Sequence, residues 1–147
     1  MKVLACDGIH EDGLEMFRHA GWDVEVAPEP IKDPAVLATA LAGVDAVLVR
    51  SATKVPAEAL AQAPRLKVIG RAGAGVDTIA VDAATARGIA VMDAPDGNTL
   101  AAAEHAIALL FALARHIPKA DAGMKAGQWP KNGLTGFELE GKRLGVI

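Results

Sequence analysis

The stretch that decides the fold is Ala46-Val47-Leu48-Val49, followed directly by Arg50-Ser51. Its four apolar residues are consecutive rather than alternating, which is the pattern of a parallel strand buried on both faces. Four further runs share this pattern, at residues 3–6, 24–27, 67–69 and 89–92. Parallel neighbours need long crossover connections, so the segments between these runs are expected to be helical.

Those connecting segments have the length that a crossover needs. The predicted helices cover residues 12–20, 34–42, 57–63 and 81–87. Asp33 followed by Pro34 marks a helix start, with an N-cap and then a proline at the first helical position. The sequence therefore predicts an α/β domain over residues 1–95, a flavodoxin-like open parallel five-stranded sheet with helices on both faces. The strand order is predicted by analogy with flavodoxin-like folds, whereas the alternation of strands and helices is predicted from the residues.

Beyond residue 95 the pattern changes to a long C-terminal helix and a terminal connector. Asn98 or Thr99 is expected to cap a helix over residues 100–116, and Pro118 permits a shorter helix after it. No polar residue lies between positions 106 and 114, and a helix that is apolar all round must be covered on all sides. We therefore expect a second region over residues 96–147, with a possible homodimer through residues 100–117.

The last seven residues, 141–147, are expected to form a turn that leads into a short apolar strand. In a dinucleotide-binding βαβ unit, such a strand feeds the glycine-rich turn that holds the pyrophosphate. The sequence is thus expected to stop at the threshold of a cofactor site. We therefore expect the function of a longer parent to differ from that of these 147 residues alone.

Composition excludes several classes of function. Only 3% of the residues are aromatic, which argues against a stacking surface for single-stranded nucleic acid, and the net charge of −3 attracts neither nucleic acid nor an anionic membrane. The longest apolar run, residues 106–114, is too short to span a bilayer. The single cysteine, Cys6, cannot form an internal disulfide, and a reducing cytoplasmic setting is the expectation.

Arg50 and Ser51 are the first candidate ligand-binding residues, because they follow a buried strand. Ligands in open α/β sheets bind at the carboxyl ends of the strands. An arginine there can hold a carboxylate or phosphate through a bidentate fork, supplemented by a serine hydroxyl. The alternative is an ordinary solvated loop.

The segment Gly73-Ala74-Gly75-Val76-Asp77-Thr78 is the second candidate, and it permits three interpretations. Two glycines have dinucleotide-turn spacing, but Thr78 replaces the third, so the motif is weak. A tight strand–helix turn would need the same small residues. A backbone nest for an anion is the third possibility, and Arg71 beside it would strengthen that attraction.

The titratable residues suggest no catalytic or metal centre. The four histidines, at positions 10, 19, 105 and 116, have no spacing typical of a metal site. No paired carboxylates or nucleophile–base set can be assembled from the sequence. We therefore predict no metal and no catalytic residue in this chain.

Taken together, several segments resemble the D-2-hydroxyacid dehydrogenase family, and within it the enzymes that oxidise 3-phospho-D-glycerate in serine biosynthesis. These segments are residues 49–55, 68–77, 94–99 with 103–104, Trp129, and residues 136–142. The resemblance implies an NAD-dependent parent of two α/β domains, of which residues 1–95 match the substrate domain. It places the glycine-rich NAD turn and the catalytic Arg, Glu and His after residue 147, so no cofactor is expected on this chain and no activity from it alone.

The resemblance also implies which residues hold the substrate. Arg50 and Ser51 match positions near its anionic groups, and Ala74 and Gly75 match a turn whose amides face its carboxylate. Ala74 further matches a position that touches the nicotinamide end of NAD. Asn98 matches a polar residue at the hinge.

Lys131 completes the set, since it falls where related enzymes place a basic residue that can reach a phosphate. With half of the pocket on this chain, binding of a small anion is expected to be weak. Two other functions remain open: a stand-alone flavodoxin-like module that binds a small anion, and a structural domain used to test whether the first domain folds alone.

Overall fold

The computed structural model describes residues 1–129 and 131–146, and it divides into two compact units, Met1–Asn98 and Thr99–Ile147. Five strands alternate strictly with four helices in the first unit. These elements are β1 (Lys2–Ala5), α1 (Glu11–His19), β2 (Asp23–Val26), α2 (Pro34–Leu41), β3 (Ala46–Val49), α3 (Ala57–Ala61), β4 (Val68–Arg71), α4 (Val81–Ala86) and β5 (Ala90–Asp93).

The five strands form one sheet in the order β2-β1-β3-β4-β5, and all four neighbouring pairs are parallel. This is the flavodoxin-like order, so the predicted fold class and strand order are confirmed. Parallel pairing brings the carboxyl ends of all five strands to one edge of the sheet. That edge is where the loops after β1, β3, β4 and β5 lie.

One face of the sheet carries the main core. Leu4, Val47 and Ile69 on the central strands are buried there against α2, α3 and α4. Their partners on the helices include Leu37, Leu41, Ala59, Leu60 and Ala84. Burial of an aliphatic side chain is worth about 1.5–3 kcal/mol, so this layer supplies much of the driving force for folding the first unit.

The other face is covered by α1. Phe17 on this helix lines a pocket of about 440 Å³ together with Leu48, Val68 and Met92, which alternate with the core-facing residues of their strands. Phe17 also contacts Trp22, with 5.2 Å between the ring centroids and 44° between the ring planes. Helices therefore lie on both faces, as predicted, although Met92 stays 62% exposed on this side.

The predicted start of α2 is also confirmed. The side chain of Asp33 accepts a hydrogen bond of 2.8 Å from the backbone N–H of Ala35, and Pro34 is the first helical residue. The cap satisfies one of the N–H groups that a helix start leaves without a partner, and proline removes another.

The second unit contains two helices, α5 (Thr99–Ala114) and α6 (Ile117–Lys125). Several large apolar side chains of α5 are more than half exposed, among them Leu100, Ile107, Leu109 and Leu113. Within the described residues no single helix is long and apolar enough to cross a membrane; only α5 and α6 combined, bent by 69°, meet that length and composition.

The connector after α6 returns to the end of α5. The backbone N–H of Phe137 donates to the carbonyl of Ala114 at 3.0 Å, and a ring nitrogen of His116 lies 3.2 Å from the carbonyl of Thr135. The approach at Gly136 is so close that an added Cβ would lie 2.1 Å from that Ala114 oxygen. Glycine is therefore required at position 136 by packing.

The strand predicted at the end of the chain is wrong for the residues that the structure describes. Gly141, with φ of +69°, forms the expected turn, but residues 142–146 belong to no strand. A strand exists only where a neighbour accepts and donates its ladder hydrogen bonds, and the five described strands pair only with one another. Ile147 lies outside the described residues.

Candidate functional site

The candidate site of the first unit lies at the carboxyl edge of the sheet, on the loops after β3 and β4. Arg50 and Ser51 directly follow β3, and Ala74 and Gly75 lie in the turn after Arg71, the last residue of β4. Val49 and Arg71 are register partners in neighbouring strands. The structure therefore brings four of the six predicted substrate-binding residues to adjacent loops.

Arg50 supplies a free cation at this edge. Its side chain is exposed, and its guanidinium has no hydrogen-bond or ion-pair partner within residues 1–129 and 131–146. The hydroxyl of Ser51, also exposed, is likewise without a partner there. Both side chains are thus free to bind an anion, and a guanidinium is well suited to grip a carboxylate or phosphate.

The side chain of Arg71 contacts both of these loops. Its Nε donates to the carbonyl of Arg50 at 3.2 Å, and its Nη1 donates to the carbonyl of Ala74 at 2.9 Å and to Asp77 at 2.7 Å. Only 11% of its side chain is exposed. The guanidinium thus connects the two loops that bear the candidate residues, and its effect on a backbone nest for an anion stays a prediction.

The glycine-rich turn is held from its other side by Asp93, at the end of β5. The backbone N–H of Gly75 donates to the Asp93 carboxylate at 2.9 Å, so this amide already has an anionic partner. The N–H of Ala74 has no partner in the described part of the chain. Ala74 therefore offers an amide of this turn that is open to a ligand.

The geometry favours a tight turn over a dinucleotide motif in residues 73–78. In a dinucleotide turn the glycines open a helix directly, whereas α4 begins only at Val81. Between them the chain forms a parallel bridge, in which Val55 pairs with Ile79. This bridge is a second tie between the loop after β3 and the loop after β4.

Asp7 is a residue of this edge that the sequence analysis did not single out. Its Oδ2 accepts hydrogen bonds from the backbone N–H groups of Arg50 (2.8 Å) and Thr53 (3.0 Å), and its Oδ1 accepts one from the Thr53 hydroxyl (2.5 Å). Burial alone would raise the pKa of the Asp7 carboxyl, but these bonds outweigh it and the pKa lies below its ordinary value. The carboxylate is therefore ionised at neutral pH.

The remaining two predicted residues lie apart from this cluster in the chain. Asn98 is exposed in the turn at residues 95–98, at the end of the first unit. Lys131 belongs to the second unit, where it lines a pocket of about 310 Å³ with Trp129, Met124 and Leu134. Its backbone N–H donates to the carbonyl of Trp129 at 2.9 Å.

Potential metal ligands do not converge in the parts of the chain that the structure describes, residues 1–129 and 131–146. No group of three or more His, Cys, Asp or Glu side chains there could hold an ion. His10 instead caps α1 by accepting from the N–H of Asp12 at 3.3 Å, and His116 contacts the connector.

Fold and site together define an open parallel α/β domain with an exposed arginine, Arg50, on a loop at the carboxyl edge of its sheet. The chain belongs to the D-isomer specific 2-hydroxyacid dehydrogenase family, since the model of that family's catalytic domain matches residues 3–140. The D-3-phosphoglycerate dehydrogenase of Archaeoglobus fulgidus is 48% identical to it over 147 residues, which are 100% of this chain and 28% of that enzyme.

Other relatives agree with this membership. The D-3-phosphoglycerate dehydrogenase of Mycobacterium bovis is 50% identical over 127 residues, 86% of this chain and 24% of that enzyme. The TT0316 protein of Thermus thermophilus superimposes with a TM-score of 0.86 at 31% identity, over 95% of this chain and 46% of that one. A Polaromonas protein assigned as a D-isomer specific 2-hydroxyacid dehydrogenase, NAD-binding, gives 0.85 at 29% identity, over 97% and 46%. The chain thus spans about a quarter of the length of the two phosphoglycerate dehydrogenases.

Proposed function

We propose that this chain is the N-terminal part of an NAD-dependent dehydrogenase that oxidises 3-phospho-D-glycerate in serine biosynthesis. Its own task in that enzyme is to hold the anionic groups of the substrate. The observation that carries the proposal is the state of Arg50, whose guanidinium has no partner among the described residues while its backbone is fixed. Its N–H is bound by Asp7 and its carbonyl by Arg71.

The choice of substrate rests on the relatives. Two enzymes named D-3-phosphoglycerate dehydrogenase share 48% and 50% identity with this chain over the matched residues. Phosphoglycerate carries a carboxylate and a phosphate, and the charges of this edge suit such an anion. Arg50 and Ser51 supply side-chain donors and Ala74 supplies a backbone N–H. The resemblance further implies a polar residue near the substrate at Asn98 and a basic residue that can reach a phosphate at Lys131.

NAD is the proposed cofactor of the whole enzyme, and it would accept the hydride from the substrate. The part of this chain in holding it is confined to Ala74, which the resemblance places at the nicotinamide end. Ala74 is exposed and ends in a methyl group, so a flat ring could lie against this turn. The resemblance places the pyrophosphate turn and the catalytic residues after residue 147, and we infer that these 147 residues alone neither bind NAD nor transfer hydride.

The assembly and the setting are part of the same proposal. The exposed apolar residues of α5 fit a homodimer through residues 100–117, because a partner copy would cover them. Twofold symmetry is the most common symmetry for such self-association. A cytoplasmic setting fits the single cysteine, Cys6, which is buried and free. An alternative function, a small-anion binding module without catalysis, is favoured by the same free Arg50 side chain and must be separated by experiment.

A titration of the ¹⁵N-labelled 147-residue chain with 3-phospho-D-glycerate tests the proposal. We expect weak binding, with a Kd on the order of 1 mM, because one guanidinium and one or two amides hold the ligand. Arg50→Ala should weaken it about tenfold, a loss expected for charge-assisted hydrogen bonds. Lys67→Ala is the matched control, since it removes an exposed cation just before β4, at the opposite edge of the sheet.

The ligands and the variants separate the alternatives. Equal affinity of the Arg50→Ala variant and the wild type would show that this loop does not bind the substrate. Equal affinity for inorganic phosphate and for 3-phospho-D-glycerate would favour the small-anion module instead. NADH production by a purified sample of the 147-residue chain would contradict the inference that it is inactive alone.

A further inference from the structure

We propose that Asp7 is a positioning residue for Arg50: its carboxylate fixes the loop over residues 50–53 so that the arginine meets the anion in one conformation. This inference rests on the proposed function, because it concerns how the proposed anion site is held. Asp7 touches no ligand in the proposal. It acts through the backbone of the loop that bears Arg50.

The backbone of Asp7 is the first observation. Asp7 has φ of +63° and the following Gly8 has φ of +66°, so two successive residues after β1 are left-handed. A residue other than glycine is uncommon in this region, and such conformations persist where the surrounding structure determines them. This turn points the Asp7 carboxylate at a loop more than 40 residues away in sequence.

The second observation is the completeness of the hydrogen bonds between this turn and the loop. The two oxygens of Asp7 accept the N–H of Arg50, the N–H of Thr53 and the hydroxyl of Thr53. Thr53 is fully buried, and its Oγ1 also accepts the N–H of Ile31 at 3.1 Å. The hydroxyl thus donates to Asp7 and accepts from Ile31, which locks the loop to two other segments.

The third observation is where the charge of Asp7 is compensated. No ion pair joins its carboxylate to the guanidinium of Arg50 among the described residues; its partners are backbone N–H groups and a hydroxyl. A carboxylate that paired with the guanidinium would compete with the ligand for it. Here the Asp7 carboxylate is stabilised by hydrogen bonds from the loop, and the guanidinium of Arg50 stays available.

A matched pair of variants tests this role. Asp45 is a comparable carboxylate at the amino edge of the same sheet: it accepts the N–H of Lys2 at 2.8 Å and two bonds of 3.1 Å from Arg65. Asp7→Asn and Asp45→Asn therefore remove the same charge from opposite ends of neighbouring strands. Asparagine tolerates the left-handed conformation of residue 7, so the backbone turn is retained.

We expect Asp7→Asn to weaken binding of 3-phospho-D-glycerate about fivefold at a temperature well below the melting transition, and Asp45→Asn to leave the affinity unchanged. Hydrogen exchange at the N–H groups of Arg50 and Thr53 should accelerate in Asp7→Asn only. If Asp7→Asn fails to fold, a second pair of variants at Thr53 tests the same role. Thr53→Val, which loses the hydroxyl, should weaken binding, and Thr53→Ser, which keeps it, should bind like the wild type.

Several outcomes would overturn the role of Asp7. An affinity of Asp7→Asn for 3-phospho-D-glycerate equal to that of the wild type would overturn it. If Asp7→Asn does not fold, an unchanged affinity of Thr53→Val would overturn it instead. Equal weakening by Asp7→Asn and Asp45→Asn would also contradict it, since loss of stability would then explain both. If Arg50→Ala weakens binding and Asp7→Asn does not, only this inference fails. If the wild type binds no phosphoglycerate at all, the proposed function fails with it.

Discussion

The side chain of Arg71 donates a hydrogen bond of 3.2 Å to the backbone carbonyl of Arg50, so one arginine of this edge holds the main chain of the other. Arg50 directly follows the apolar strand β3 and Arg71 ends the neighbouring strand β4. The side chain of Arg71 is nevertheless only 11% exposed, whereas that of Arg50 is exposed and has no partner within the described residues. The two arginines therefore differ in role. Arg71 stabilises the loops, whereas the side chain of Arg50 is available to bind an anion.

Arg71→Met should therefore destabilise the chain by about 2 kcal/mol, because two backbone carbonyls lose a charged donor in a mostly buried position. Urea unfolding followed by circular dichroism measures this. Asp77→Asn is the control, since Asp77 is 80% exposed and an exposed ion pair contributes little. Similar losses in the two variants would show that the ion pair, rather than the carbonyl contacts, holds the loops.

Two threonines with buried hydroxyl groups should respond in opposite directions to replacement by valine. Thr53→Val removes a hydroxyl that is bonded to Asp7 and Ile31, and should cost about 1–3 kcal/mol. The hydroxyl oxygen of Thr78 is buried without a partner in the described part of the chain, so Thr78→Val should be neutral or stabilising by about 1 kcal/mol. Thermal melts of both variants against the wild type measure the signs. A clear loss of stability in Thr78→Val would mean that its hydroxyl has a partner.

Acid should weaken the first unit partly through Asp7. The pKa of this carboxyl in the folded chain lies below the ordinary value of 3.8. A lowered pKa contributes stability that is complete above the unfolded value and is lost as the pH falls through the folded one. The melting temperature of the wild type should therefore exceed that of Asp7→Asn at pH 7, and the gap should narrow below about pH 4. A gap that is constant down to about pH 2.5, past the ordinary carboxyl range, would contradict this assignment.

Gly136→Ala should disrupt the second unit. The new Cβ would lie 2.1 Å from the carbonyl oxygen of Ala114 and 3.1 Å from the Cα of Arg115, and backbone atoms cannot yield as a flexible side chain does. We expect a cost of about 1–3 kcal/mol and faster hydrogen exchange at the N–H of Phe137. Gly145→Ala is the control, since nothing lies within 4 Å of its added Cβ. Equal exchange in both variants would exclude a packing role for Gly136.

The long helix α5 should drive self-association. Leu113 is 72% exposed and Leu109 is 56% exposed, a concentration of apolar surface that monomers seldom leave in water. Light scattering should show a dimer for the wild type and a monomer for Leu113→Glu. Leu113 is chosen for the charged substitution because it is exposed. Leu110 is half-buried and lines a pocket with Leu144 and Val146, so a charge there would also disturb packing.

Thr85→Glu is the control for that experiment. It adds the same charge at an exposed position of α4 and should stay dimeric. A wild type that remains monomeric at all concentrations would rule out association through this helix. A Leu113→Glu variant that is still a dimer of equal stability would place the interface elsewhere.

The first unit could be predicted almost completely because its signals are local. Consecutive apolar residues such as 46–49, and a cap such as Asp33, report on their own neighbourhood in the chain, and the strands and helices follow from them. The terminal strand was predicted from the same kind of local signal and is wrong, since pairing depends on a partner that the local sequence does not contain.

The candidate site was harder to predict because its contacts are distant in sequence. Arg50 and Arg71 look alike in the sequence, and only the carbonyls that meet Arg71 in space distinguish them. Asp7 is bonded to residues 43 and 46 positions away, and its one local signal is an Asp-Gly pair after a strand, which indicates a turn. Whether Ser51, Asn98 and Lys131 contact the substrate stays a prediction for the titrations above.

The order of the strands also bears on how the chain acquires its structure during synthesis. β1 and β2 pair first along the chain, β3 then joins the free side of β1, β4 joins β3, and β5 joins β4. Each new strand is thus added to an edge that is already present, and none must insert between two strands already paired. Domains form as units, starting from the N-terminus, while a protein is made. The sheet can accordingly grow outward from a nucleus of β1, β2 and α1 as the ribosome releases each successive strand and helix.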